Sequence, residues 1–116
     1  APADRITVSS DGGGCLPVFN EKGEMLHMDV GRPSSLIETL QDLLKSGRSL
    51  ESVLPAFTSN VADILRLHDR GRIHPDGVAD MIVIDADNQI TDVMAGGIWH
   101  VQNGEQTVFG QFETRN

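Results

Sequence analysis

Large aromatic side chains are nearly missing from this sequence: it has no Tyr, one Trp and four Phe, 4% of 116 residues. A self-sufficient core in a small domain leans more heavily on such side chains, so the scarcity hints that the chain is part of something larger. Cysteine occurs once, at Cys15. An internal disulfide is thereby excluded, and a reducing, cytoplasmic setting is expected. No apolar run approaches the ~20 residues of a transmembrane helix, so no membrane partner is expected. Basic residues are few, 9 against 17 acidic ones, for a formal net charge of −8. That balance, without any Lys/Arg run, disfavours nucleic acid as a partner. The opening Ala1-Pro2-Ala3-Asp4 has neither the basic start nor the apolar core of a signal peptide. Internal repeats and low-complexity segments are also absent.

What remains is ordinary globular material, 39% hydrophobic and 22% charged, enough for one domain at most. Ile6-Thr7-Val8-Ser9-Ser10 alternates apolar and polar and is rich in β-branched residues, which predicts a strand. Asp11-Gly12-Gly13-Gly14 follows at once and predicts a polar loop. A strand ending in such a loop is where parallel α/β sheets and barrels place their chemistry. Pro17-Val18-Phe19 and Met25-Leu26-His27 flank Asn20-Glu21-Lys22-Gly23 as the arms of a short hairpin. Ser35 and Glu38 match a capping box. Leu36, Ile37, Leu40, Leu43 and Leu44 then recur on one face, predicting a helix over 36–46 that stops at Gly47. Ser49 is placed to cap a second short helix ending at Pro55, and Thr58 a third, with Val61, Ile64, Leu65 and Leu67 facing inward.

After Gly71 the texture changes to strands and turns. Pro75-Asp76-Gly77 is a turn, and Met81-Ile82-Val83-Ile84 reads as a buried strand. Ile90-Thr91-Asp92-Val93-Met94, Ile98-Trp99-His100-Val101 and Gln106-Thr107-Val108-Phe109 follow, with Asn103-Gly104 as a hairpin signal. The order is therefore one strand, two or three helices and an antiparallel meander. A single βα step cannot form a sheet, so partner strands lie outside this chain or come from another copy of it.

Two stretches resemble a known family. Ile6-Thr7-Val8-Ser9-Ser10-Asp11-Gly12-Gly13-Gly14 is similar to the end of the eighth barrel strand in the amidohydrolase superfamily, in the Ser-Ser-Asp-Gly form of the isoaspartyl dipeptidases. Thr58-Ser59-Asn60-Val61-Ala62, Gly71-Arg72-Ile73, the run from Gly77 through Asp85 and Val93-Met94-Ala95-Gly96-Gly97-Ile98 resemble the superfamily's ending, and Gly110-Gln111-Phe112-Glu113-Thr114 the dipeptidase tail. The resemblance implies an α/β chain: the C-terminal part of a metal-dependent hydrolase TIM barrel, followed by an antiparallel meander of the small β-sandwich domain. Residues 1–70 would supply the last barrel strand, the active-site loop and the closing helices, and residues 71–116 the meander. It also implies two zinc ions in the intact enzyme, a β-aspartyl dipeptide as substrate, and the remainder of the barrel or another copy of the chain as partner in a homo-oligomer.

Asp11 matches the family's catalytic, metal-contacting carboxylate, which handles the proton of an activated water. Gly12, Gly13, Gly14 and Cys15 match the substrate-side loop, and Cys15 stands where the family carries a Ser, a thiol being the weaker donor. The family's H-x-H pair and remaining ligands have no counterpart, and His27, His68, His74 and His100 sit at none of its motifs. This chain alone is therefore expected to bind no zinc and to be inactive. Two alternatives stay open: a dihydroorotase- or hydantoinase-like hydrolase, and a non-catalytic self-associating module. Plainer readings also apply. Cys15 reads as a small hydrophobe rather than a nucleophile. His68-Asp69-Arg70 reads as a helix-end cap, Asp80 as a structural acceptor, and Trp99 as packing in the sandwich.

Overall fold

The computed structural model describes residues 2–113. Of the segments discussed above, Ala1 and Thr114 lie outside the described residues. The chain mixes helices with antiparallel sheets and divides into two compact units, Ala1–Val61 and Ala62–Asn116.

The first unit opens with a 3-10 turn at Ala3–Arg5. Residues 6–10 do not form the expected strand; they are extended at Ile6 and pair with no strand among the described residues. A strand needs a ladder partner, and here the Val8 N–H donates instead to the Ala56 carbonyl at 3.0 Å. The hairpin forms as expected, with β1 at Cys15–Phe19 and β2 at Met25–Val30. Its loop is closed by Asn20, whose Oδ1 accepts from Lys22 N–H at 2.9 Å and Glu24 N–H at 3.0 Å, a side-chain imitation of a backbone turn. Cys15, Pro17 and Phe19 share one face with Val30, Met28 and Met25, and every one of these six residues is exposed.

Helix α1 runs over Ser35–Lys45. Its cap position is Ser34, one residue earlier than the capping-box reading, and no side chain closes it. Of the predicted apolar stripe only Leu40 is fully buried. Ser49 caps α2 (Leu50–Val53) as expected, accepting from Ser52 N–H. Pro55 then sits in a 3-10 turn, Leu54–Phe57. Proline has no N–H to donate, and the tighter turn absorbs that loss. Helix α3 covers Ser59–Leu65, and the unit boundary falls inside it. The hydroxyl of Thr58, just before it, donates back to the Leu54 carbonyl at 2.9 Å. Ile64, Leu65 and Leu67, predicted to face inward, are exposed, and the buried positions of α3 are Asn60 and Ala62. The reason is polar: Asn60 has two backbone acceptors to meet.

The second unit is the predicted meander. Strands β3 (Met81–Ile84), β4 (Ile90–Ala95), β5 (Ile98–Gln102) and β6 (Glu105–Gln106) form one antiparallel sheet in chain order. Positive φ at Gly96 and Gly97, and at Asn103 and Gly104, makes both short connections the primed two-residue turns that match strand twist. The β3–β4 loop repeats the device of the first hairpin, with Asp85 Oδ1 accepting from Asp87 N–H at 2.9 Å and Gln89 N–H at 3.0 Å. β3 is not the buried strand its apolar run predicts: Ile82 and Val83 are 48% and 43% exposed. An apolar run marks what a strand is suited to bury, and among the described residues the second unit holds no further sheet to cover it. The last strand is shorter than expected, and Thr107 continues the pairing through its N–H, which donates to the His100 carbonyl, and its hydroxyl, which donates to the Trp99 carbonyl. Among the described residues no helix is long and apolar enough to cross a membrane.

Candidate active-site loop

Asp11 is the carboxylate of interest, and its position follows from three sets of local bonds. The first fixes the approach. Asn60, 5% exposed, donates from Nδ2 to the Ala3 and Ile6 carbonyls, each at 2.9 Å. Val8 adds its bond to Ala56. The segment leading to Asp11 is thus tied by one buried amide and one backbone bond.

The second set is made by the two serines. Ser9 Oγ donates to Asp11 Oδ1 at 3.1 Å, and the Asp11 N–H donates to the same Oγ at 3.1 Å. Ser10 Oγ accepts from Gly12 N–H at 3.2 Å. In sequence these serines looked like the end of a strand; in the structure they are turn-forming side chains. Asp11 itself has φ 48, a left-handed conformation uncommon outside Gly but tolerated by Asp.

The third set closes the loop. Gly14 N–H donates to the Asp11 carbonyl at 2.7 Å. Gly13 N–H donates to the Gly31 carbonyl, and Gly31 N–H to the Gly14 carbonyl, both at 2.9 Å. Gly13 has φ +81, which explains a glycine there. The loop thereby rests on the base of the β1–β2 hairpin. Asp11, Gly12 and Gly13 are exposed and Gly14 is half-buried. Cys15 is exposed and stands at the start of β1 rather than in the loop.

Sequence reasoning missed Asn60 and Gly31. Asn60 lay inside a quoted stretch but carried no signal of burial. Gly31 had one available signal, a glycine directly after a strand-like run.

Other singled-out residues belong to the second unit. His68-Asp69-Arg70 follows α3 instead of ending it, because Arg66 takes φ 57 after Leu65. Asp80 is the structural acceptor it was read as: Oδ1 accepts from Gly96 N–H at 2.7 Å. Trp99 is half-buried in β5. Asp63 and Arg72 form a two-pronged ion pair, both contacts 2.9 Å. That hydrogen bonding holds the Asp63 carboxyl below its ordinary range and raises the Arg72 guanidinium further. The Thr91 hydroxyl and the Asn103 N–H likewise lower Asp92.

A zinc centre takes about four ligands. Asp11 offers one carboxylate, and among the described residues no group of three or more His, Cys, Asp or Glu is arranged to hold a metal ion. The described residues do not by themselves fit a binuclear zinc site.

The chain is a mixed helix and antiparallel-sheet segment, and its fold matches part of solved dipeptidase structures. They are β-aspartyl dipeptidases from the thermophilic, keratin-degrading Fervidobacterium islandicum AW-1. One, in complex with the β-Asp-Leu dipeptide, matches 96% of this chain at 33% identity with a TM-score of 0.83. A second matches 96% at 29% identity with a TM-score of 0.77. The resemblance to the isoaspartyl dipeptidases read in the sequence therefore holds in three dimensions. The chain spans 30% and 26% of the length of those two proteins. No family model matches the sequence.

Proposed function

We propose that this chain is the C-terminal part of a zinc-dependent dipeptidase that hydrolyses the isopeptide bond of β-aspartyl dipeptides. The observation that carries the reading is the match of 96% of the chain, at 33% identity, to an enzyme solved with β-Asp-Leu. Residues 1–70 would contribute the last barrel strand, the active-site loop and the closing helices, and residues 71–116 one portion of the small β-sandwich. In the intact enzyme Asp11 would contact the metal and carry the proton. It would take it from the attacking water as the C–O bond forms and pass it to the leaving amine as the C–N bond breaks. Gly12 to Cys15 would line the substrate side. The other zinc ligands would come from outside this chain, which alone would be inactive.

Surface area supports a larger whole. The chain exposes 9018 Å². Even two separate compact bodies of half its mass would together expose about 7,500 Å². Much of the excess is apolar, as at Met25, Leu26, Met28 and Val30 of β2, which are 52–61% exposed. Contiguous apolar surface of this kind marks a contact site, and the partner we propose is the remainder of the barrel or another copy of the chain.

The test is hydrolysis by the full-length protein of β-Asp-Leu, α-Asp-Leu, hydantoin and dihydroorotate, with zinc content measured on the same sample. Cleavage of β-Asp-Leu alone, by a zinc-loaded protein, is expected. Cleavage of the cyclic amides instead would replace the reading with a dihydroorotase- or hydantoinase-like one. No hydrolysis, with self-association, would favour a non-catalytic module.

A further inference from the structure

We infer that Gly31 is a positioning residue for Asp11, an inference that rests on the dipeptidase reading of Asp11. Gly31 follows β2 directly and is buried. Twenty residues separate it in sequence from the carboxylate, yet its backbone forms the floor under the Asp11 loop. It exchanges two hydrogen bonds with that loop, accepting from Gly13 N–H and donating to the Gly14 carbonyl.

The approach is closer than any other residue type permits. A Cβ at position 31 would fall deep inside contact with the Asp11 carbonyl oxygen, and 2.9 Å from both the Asp11 carbonyl carbon and the Ser10 carbonyl oxygen. All three atoms are backbone, so none can swing aside as a side chain would. The same Asp11 carbonyl oxygen already accepts from Gly14 N–H at 2.7 Å. Asp11 holds φ 48, a conformation that persists in a non-glycine residue when its surroundings over-determine it. Gly31 is part of those surroundings. A methyl group there must push residues 10–14 outward, and the Asp11 carboxylate moves with them. Misplacement of a catalytic group by roughly an ångström costs on the order of 100-fold in rate.

The experiment uses the full-length protein and two measurements. In the first, Gly31→Ala is compared with wild type on β-Asp-Leu. Loss of kcat on the order of 100-fold is expected, with KM within about threefold and zinc content unchanged, because the carboxylate is displaced while the rest of the site stays. An unchanged kcat overturns the inference. A rise in KM with kcat retained does so as well, since it would make Gly31 a binding feature. In the second, amide hydrogen exchange is followed in wild type, which stays informative if the variant does not fold. Gly13 and Gly31 amides protected at least about tenfold over free-peptide rates are expected, since both are hydrogen-bonded. Unprotected amides overturn the clamp whatever the substrate. A wild type that shows the protection but no hydrolysis of β-Asp-Leu overturns the dipeptidase reading, and with it the catalytic part of this inference.

Discussion

The two units contain nearly the same hairpin and put it to different use. Asn20 and Asp85 each accept from the amides two and four residues ahead, and in each loop the residue three ahead, Gly23 or Asn88, has positive φ. In the second unit the ladder continues: primed turns carry it into β5 and β6, and Asp80 ties the β4–β5 turn back through Gly96. In the first unit the ladder stops at two strands, and the free end is spent on the Asp11 loop through Gly31. A two-stranded ribbon is marginal alone. The comparison teaches that one unit is organised by its own sheet, and the other by bonds that converge on a loop.

The largest expected effect would sharpen that contrast. Asp11→Asn in the full-length protein should lower kcat on β-Asp-Leu by about 10²–10⁴-fold, the usual worth of positioned proton transfer, with an unchanged circular-dichroism spectrum. Near-normal turnover would remove the loop's claim to chemistry. Asn60→Ala comes next. It deprives two carbonyls of their donor inside the first unit and should cost about 1–3 kcal/mol in urea unfolding, with lower turnover because the approach to Asp11 loosens. A neutral result would show that Val8 alone holds the segment.

Asp80→Ala should act oppositely. It removes the acceptor of Gly96 N–H and should destabilise by about 0.5–1.5 kcal/mol, without altering kcat. A fall in kcat would break the division of labour between the units. The smallest effect is acid sensitivity in the second unit. Asp63 and Asp92 have folded-state pKa values below the ordinary 3.8. Their contribution is present above that value and is lost as pH falls through the lower folded values. Asp63 is exposed and Asp92 half-buried at the surface, where solvent screens both, so a small loss is expected, confined below pH 3.8. Arg72→Gln should abolish the Asp63 share, as read by the pH dependence of the urea midpoint.

Much of the second unit was legible in the sequence because its information is local. Asn103-Gly104 announces a hairpin turn, Gly96-Gly97 marks the end of a strand, and residues 90–94 form the strand expected of them. Ser49 was legible as a cap for the same reason. The sequence misled wherever the deciding partner was distant. Residues 6–10 have strand composition, but composition does not supply a neighbouring strand. Ile64 and Leu65 have helical spacing, but the side of α3 that is buried holds Asn60, because two carbonyls some 55 residues earlier require its amide.

The sequence by itself determined the first three strands of the meander, a helix expected over 36–46 and found over 35–45, and the likeness to the isoaspartyl dipeptidases through Ser-Ser-Asp-Gly. These rest on short-range periodicity, turn chemistry and the identity of adjacent residues. Only the tertiary structure decided that Asn60 anchors the approach to Asp11 and that Gly31 lies beneath it. Both depend on hydrogen bonds and close contacts between segments 17 or more residues apart. Each of these contacts ends on a backbone carbonyl, a group that every residue carries, and so leaves almost no mark on the order of the side chains.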